Sequence, residues 1–501
     1  MSSLLKRLKL YMQAARELGL RRLVWYALYQ LGRASGYYRR VTPLREWAGS
    51  QAEQRPFPTI LYRPELSTLL DEVARKELLA EADEIVQGRV RLFGGEPVAL
   101  EVCPPGPAVH WTVAGVVSGV EDIKFVWEPA RLGWVYPLGR AYLLTGNETY
   151  SETFWQCLEQ FLECNPPNQG PNWASAQEAA LRILALVFAS QAFSGSEQYT
   201  GERVRLLRAA IAEHAQRIPV TLAYARAQNN NHWISEAVGL YTAGVMLGEH
   251  PQAARWRRMG WAELHYALQN QIDETGEYVQ HSTNYHRFII QAALWAQAVA
   301  RPAGDAFPAR TLQRLAAATR WLSSHYDPLS GRAANLGHND GAYILPLAAG
   351  GFGDYRPSLQ AAAIAYLERP LLPPGPWDEF SRWMGLPIIQ QPLSLTRLGA
   401  MPNRLGDARS WASLRAVHFH HRPAHADQLH VDLWWQGINV ALDAGTYAYN
   451  ASPPWDNSLM STLVHNTIGI DGQDQMQRAG RFLWLHWAQA RLIDSGANQV
   501  T

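Results

Sequence analysis

The chain has 501 residues, 47% hydrophobic and 18% charged, with a formal net charge of +1. A chain of this length divides into two or more domains by default. The balance is that of an ordinary soluble globular protein and excludes a general electrostatic affinity for nucleic acid. Its 20 Trp and 21 Tyr pack cores first, and line grooves for amphipathic ligands such as sugars second. Cys103, Cys157 and Cys164, an odd and sparse set, argue against a disulfide scaffold and leave any metal to His and carboxylate ligands.

Residues 1–50 read as a basic N-terminal helical arm. Residues 1–40 hold nine Lys or Arg against one acid, Glu17. The apolar run Leu23–Leu31 is too short to span a bilayer, and no small-residue cleavage site follows it, so it reads poorly as a signal peptide. Two arrangements remain open: a basic amphipathic helix lying peripherally on an acidic membrane surface, or an arm packed on its own protein.

Residues 51–375 read as helix after helix. Periodicity predicts helices over 69–82, 176–193, 203–217, 233–247, 256–271, 285–300 and 312–325. Loops rich in Asn, Gly and Pro join them, as in Asn165–Asn172, Asp273–Gly276 and Asp327–Gly331. The run Pro370–Pro376 breaks the pattern. Residues 376–501 then alternate apolar and polar, predicting strands over 412–419, 428–435, 438–442 and 467–470. Val431, Leu433 and Trp435 fall on one face. The expected architecture is an all-helical domain followed by an antiparallel β domain. The chain stops roughly 130 residues past the proline run, so the sheet is expected to be incomplete here or the natural protein to continue.

Three pieces of the β part carry metal-type chemistry. His425, Asp443 and His465 stand at the edges of short β-like segments, 18 and 22 residues apart. Adjacent strands can bring two imidazoles and a carboxylate around one ion, and that donor set suits zinc. The alternative is that they are ordinary strand and turn residues.

Two clusters in the helical part suggest proton chemistry. Asn229-Asn230-Asn231-His232 precedes a helix that needs only one Asn as its cap, and Glu236 lies one turn on from His232. In Gln280-His281-Ser282-Thr283-Asn284-Tyr285-His286, Ser282 or Thr283 can cap the next helix and put Tyr285 and His286 in its first turn. Asn, His and Tyr together fit β-elimination on a uronic acid. Asn or protonated His neutralises the carboxylate beside the barely acidic C5 proton. A Tyr, with a cationic or hydrogen-bonding neighbour such as His232, His281 or His286, moves the proton. A glycoside hydrolase would instead need two opposed carboxylates, for which Glu236, Asp273, Glu274 and Glu277 are available.

These segments, together with Ala82–Gly94, Lys124–Arg131, Leu144–Glu148 and Asn172–Arg182, resemble the heparinase II/III-like polysaccharide lyase family in order along most of the chain. The resemblance implies an incomplete (α/α) toroid followed by an antiparallel β-sandwich, and an acidic polysaccharide as substrate. It implies that Asn231 and His232 neutralise the substrate carboxylate and that Tyr285 is the catalytic acid, or both acid and base. His425, Asp443 and His465 match the zinc ligands, the zinc organising the sandwich and cleft. Specificity would fall to Asn172, Trp173, Arg182, Arg131, Glu236, Gln280 and His286. Two positions depart from the family pattern. Pro423 stands where many members have a His near the scissile bond, and His338 where an acid is frequent. With no signal peptide readable, these departures admit a non-catalytic or biosynthesis-associated polysaccharide-binding relative. Family members are usually extracytoplasmic, whereas the unreadable leader fits a cytoplasmic or membrane-peripheral place.

Overall fold

Ala and Leu runs with few polar interruptions form the helices that end up innermost. Every residue of one such helix, Ala176–Ala192, is buried. In the computed structural model, which describes residues 3–47, 55–107, 109–113, 122–392, 403–449, 451–496 and 499–500, the arm is α1 (Ser3–Leu18), α2 (Leu20–Ala34) and the short α3 (Tyr37–Val41). The helical domain follows with α4 (Leu66–Leu69), α5 (Glu72–Val86), α6 (Lys124–Ala130), α7 (Val135–Thr145), α8 (Glu148–Cys164), α9 (Ala176–Ala192), α10 (Gly201–Arg217), α11 (Leu222–Gln228) and α12 (Asn231–Met246). It continues with α13 (Ala253–Gln271), α14 (Thr283–Ala303), α15 (Ala309–Ser324), α16 (Arg356–Leu367) and α17 (Asp378–Trp383).

The helices alternate between two layers, as in an (α/α) toroid. α7, α9, α12, α14 and α16 neighbour one another in the inner layer, and α8, α10, α13 and α15 lie outside them. α12 and α13 approach closely because Gly244 and Gly260 face the opposite backbone. A Cβ on either would lie 2.4 Å from a main-chain nitrogen of the other helix.

Nine of the fourteen predicted helix termini fall within two residues of the observed ones. The proline run does not end the helical domain: α17 follows it, and Phe380, Trp383, Met384 and Leu386 belong to the main helical core. The boundary therefore lies beyond 375, near 386. The cysteine reading needs a second correction. Cys103 and Cys164 form a disulfide, S–S 1.97 Å, tying the end of α8 to the loop before α6, and Cys157 is free.

The β part is a four-stranded antiparallel sheet in the order β3 (Arg404–Gly406), β4 (Ser410–Leu414), β5 (Val431–Trp435), β6 (Ile438–Ala441). Two hairpins flank the fold: β1–β2 (Arg89–Arg91, Pro97–Ala99) in the helical domain and β7–β8 (Gln477–Gly480, Leu483–Leu485) after the sheet. Val431, Leu433 and Trp435 do share a face of β5, but it is the outward one. Asp432 and Trp434 point in, where Trp434 stacks on Trp411 with ring centroids 5.4 Å apart. Residues 467–470 form an isolated bridge and turn rather than a strand.

The arm packs on its own protein. Tyr29 of α2 stacks on Tyr224 of α11, centroids 4.1 Å apart, and Arg21 donates to the Tyr266 hydroxyl at 2.9 Å. At its other end the Glu17 carboxylate accepts from the backbone N–H groups of His486 and Trp487, at 3.2 and 3.1 Å. The arm thus spans both domains. No helix among the described residues is long and apolar enough to cross a membrane.

Candidate active site and metal centre

Ser282 starts α14: its Oγ accepts from the Tyr285 N–H at 3.1 Å, which is the capping geometry expected of Ser at this place. The same hydroxyl donates to the His338 carbonyl at 2.5 Å, and Thr283 Oγ1 donates to the Ala334 carbonyl at 2.6 Å. These bonds moor the 334–340 loop against the helix start. Gly337 makes the approach feasible, with φ at +67° and no room for a Cβ, which would meet the His281 carbonyl oxygen at 2.2 Å.

The loop delivers Asp340 to Tyr285. The phenol donates to Asp340 Oδ2 at 2.7 Å, and Lys124 Nζ lies 3.2 Å from the same oxygen and 3.9 Å above the Tyr449 ring. Beside them Arg131 holds Glu178 through two bonds, 2.7 and 2.9 Å, and Glu128 at 2.5 Å. Burial, then the Asp340 and Tyr449 neighbours, pushes the Tyr285 hydroxyl well above its ordinary range. Burial pushes Asp340 up, but Lys124, the Tyr285 hydroxyl and Arg131 outweigh it and leave the carboxyl below its usual value. The resting pair is therefore a phenol and a carboxylate. The neighbour of Tyr285 is thus an acid backed by a lysine, not one of the histidines expected from sequence.

Asn231 and His232 open α12. Asn231 donates through Nδ2 to Gln177 Oε1 and through its backbone to Gln280 Oε1, both at 2.7 Å. His232 is half-buried and 3.9 Å from Glu236, too far for a hydrogen bond. Burial lowers its pKa to about 4, and the charges of Glu178, Arg131 and Asp340 all act on its ring. His232 shares the neighbours Arg131 and Asp340 with Tyr285, but as a neutral imidazole rather than the protonated one expected.

The other predicted residues divide. Arg131 acts on Tyr285 and Asp340, and Gln280 holds the Asn231 backbone. Asn172, Trp173 and Arg182 are fully buried: Arg182 donates to His214 Nε2 and the Asn172 carbonyl, both at 2.7 Å, and Trp173 stacks on His214. These three build the core and offer a groove nothing. His286 is equally buried, its Nε2 2.9 Å from the Ala318 carbonyl and its ring stacked on Trp321. Glu236 is buried with one oxygen unpartnered, and burial holds its pKa well above the carboxylate range. The other acids available to a hydrolase are paired with basic groups or exposed. Glu277 pairs with His281 and Arg415, and Asp273 and Glu274 lie exposed on a turn. Sequence reasoning missed Asp340, Lys124, Glu178 and Tyr449, because their pairing depends on loops folding back from distant positions.

In the β part, His425, Asp443 and His465 converge as expected, and Asp427 joins them within 4.8 Å. His425 Nδ1 lies 3.0 Å from His465 Nε2 and 3.4 Å from Asp443 Oδ1, and His465 Nε2 lies 3.3 Å from Asp443 Oδ2. Donors about 2.0–2.1 Å from one tetrahedral ion sit about 3.3 Å apart, so these spacings suit a zinc-sized ion. His465 Nδ1 faces the Ser461 carbonyl at 2.8 Å, which leaves Nε2 as a lone pair aimed into the cluster. Buried His425 Nε2 has no partner. Asp427 pairs with Arg415 at 2.7 Å, which leaves it a weaker donor. Position i+2 in the His425 motif was the available signal for it. Two bonds link this centre to the loop that carries Asp340: Asn335 Nδ2 donates to the Asp443 carbonyl at 3.3 Å, and the Asn339 N–H to Thr446 Oγ1 at 3.1 Å.

Residues 103–330 match the family model described as heparinase II/III N-terminus, and residues 412–501 match heparinase II/III-like, C-terminal. A heparin-sulfate lyase of Bacteroides thetaiotaomicron is 30% identical over 163 residues, 32% of this chain and 23% of that protein. Another, of Bacteroides stercoris, is 24% identical over 187 residues, 33% of this chain and 28% of that protein. The aligned part of the chain thus spans less than a third of each of these curated relatives. A crystal structure of heparinase III superposes with a TM-score of 0.58 at 17% identity, covering 96% of this chain and 72% of that one, a likeness of fold.

Proposed function

This chain belongs to the heparinase II/III family, and on that premise we propose that it is a polysaccharide lyase cleaving a uronate-containing acidic polysaccharide by β-elimination. The observation that carries the reading is the Tyr285 hydroxyl donating to Asp340 at 2.7 Å, with Asp340 and Arg131 acting on both Tyr285 and His232. Neutral His232 and the Asn231 amide hydrogen-bond the substrate carboxylate and take up the charge that develops as C5 loses its proton. Neutral His232 serves this as an N–H donor, without a full positive charge.

Tyr285 supplies the proton to the leaving O4 as the C4–O4 bond breaks and the C4–C5 double bond forms. For Tyr285 also to receive the C5 proton, its own proton passes first to Asp340, an uphill transfer against the raised phenol and lowered carboxyl, so this route adds to the barrier. The phenolate takes the C5 proton and delivers it to O4, and Asp340 then returns the proton it held. Each proton is accounted for. Lys124, on the same Asp340 oxygen, sets how readily that oxygen accepts.

His425, Asp443 and His465 would hold zinc. The ion, when bound, would supply fixed coordination that clamps the loops of the β part rather than a hydrolytic nucleophile. The Cys103–Cys164 disulfide supports an oxidising, extracytoplasmic location. The test is incubation with heparan sulfate, heparin and alginate, read by the ultraviolet absorbance of the unsaturated product and repeated with Tyr285→Phe. Saturated reducing ends, or no product from any of the three, would overturn the reading. Pro423, which replaces a His that could have acted beside the scissile bond, favours a second reading: a protein that binds the polymer without turning it over. Tight binding with no unsaturated product would select it.

A further inference from the structure

The basic arm lies outside both family-matched segments, which begin at residue 103, and no step above uses it. Yet α2 reaches the seam between the two domains. Arg22 donates through Nη2 to His421 Nδ1 at 3.1 Å, across from the β part. That imidazole is the one hydrogen-bond partner of the Arg22 side chain among the described residues. Arg422, next in sequence, has neither hydrogen bond nor ion pair among them, although its side chain is half-buried.

His421 does not supply a counter-charge. Burial, with Arg22, His281 and His420 around it, lowers its pKa to about 3. Nearby acids are committed elsewhere: Glu277 to His281 and Arg415, and Glu263 to Arg226 and Trp233. Two half-buried guanidiniums thus share one region without an anion, which is costly for groups that lose water.

The region neighbours residues packed around the Tyr285–Asp340 contact. Arg422 lies three residues before His425, and its charge acts on His338 and on Tyr224. His338 packs edge-on against His425 and Tyr449, and α11, which bears Tyr224, runs into the Asn231–His232 segment.

We propose that Arg22 of the arm and Arg422 of the β part form an anion site at the mouth of the cleft, taking a carboxylate or sulfate ester on a sugar outside the reacting pair. Guanidinium forks match both oxyanions. The inference rests on the acidic-polysaccharide reading and gives the arm a role in it: one guanidinium comes from the arm and one from the far side of the seam, so the arm completes a substrate site.

The site is tested on the full chain with small anions, independently of turnover. Inorganic sulfate and glucuronate are titrated separately at constant ionic strength against chloride, following thermal unfolding. In the wild type at least one raises the melting temperature saturably, and which one does so separates sulfate from carboxylate. Arg22→Gln and Arg422→Gln should each weaken that binding about tenfold, the loss expected for one charge-assisted contact, and Arg22→Lys should recover part of it. Binding of heparan sulfate to a Tyr285→Phe background should weaken in parallel, with a shallower salt dependence. If neither anion stabilises the wild type more than the Arg22→Gln/Arg422→Gln protein, the proposal is wrong, even where the lyase assay succeeds. If the anions bind as described but no polymer is cleaved, the lyase reading falls and the anion site stands.

Discussion

Tyr285 and Asp340 share one proton-bearing contact, and most of the expected chemistry turns on it. Tyr285→Phe removes the donor while keeping the ring, so kcat should fall at least ~10²-fold, the usual scale for losing a general acid, with circular dichroism unchanged. Asp340→Asn should lower kcat and also move the alkaline limb of the pH profile to lower pH. The anion that helps hold the Tyr285 proton is then gone, while burial still acts. A limb that stays put would show that Asp340 does not govern that proton. His232 gives a second test. Its folded pKa is lowered to about 4, whereas an unfolded imidazole titrates near 6.5. Between those values the unfolded chain binds the proton and the folded one does not, so this residue's contribution to stability falls as pH falls. The His232→Gln protein should lose less stability than wild type over that window, measured by denaturant titration. Sequence marked Tyr285 and His232 through their neighbours along the chain. It could not mark Asp340, 55 positions from Tyr285, and it overvalued Trp173 and Arg182, since a Trp in a core and a Trp in a groove look alike in one sequence.

The start of α14 shows how one element positions that contact. Ser282 caps the helix and also donates to the His338 carbonyl, so it acts on stability and on the Asp340 loop together. Ser282→Ala should cost about 1 kcal/mol through the lost cap, seen in the denaturation midpoint. It should lower kcat/KM by more than other capping mutants of equal stability cost, such as Asn147→Ala on α8. Equal effects would make the Ser282 bond to the loop incidental. Helical elements were legible because the toroid buries whole faces, and Ala- and Leu-rich periodicity survives even where a helix is buried all round. The strands were less so. Alternation correctly grouped Val431, Leu433 and Trp435, but the side of the sheet facing the core is decided by the Trp411–Trp434 stack, a pairing between strands. His465 likewise caps a 3₁₀ turn, Thr462–Val464, and the strand that alternation suggested after it, over 467–470, does not form.

At the scale of the whole molecule, the two domains meet through loops rather than through a shared core. The main helical cluster contains no residue beyond Leu386, and the β part holds a small cluster of its own. The joining contacts include hydrogen bonds from Asn335 to Asp443, Asn339 to Thr446 and the Tyr449 N–H to Asp122, the Glu277–Arg415 ion pair, ring contacts of His338 with His425 and Tyr449, and the arm through Glu17 and Arg22. None of these pairs lies close in sequence, nor do Cys103 and Cys164, 61 residues apart, which is why domain order was readable and the seam was not. The seam places the His425–Asp443–His465 centre beside the cavity without making it part of the proton chemistry, and this sets a distinctive expectation for metal removal. An ion bound by folded ligands stabilises the folded state by mass action, so a strong chelator should lower the melting temperature by several degrees and zinc should restore it. Because Asp443 and Thr446 also hold the Asn335–Asp340 loop, activity should fall at temperatures well below the new unfolding midpoint and return with zinc. Asp443→Asn should reproduce the stability loss and abolish the zinc response, while its UV-monitored turnover falls without disappearing. A chelated protein with full activity and an unchanged melting temperature would mean that these three residues hold no ion that matters to the fold or the cavity.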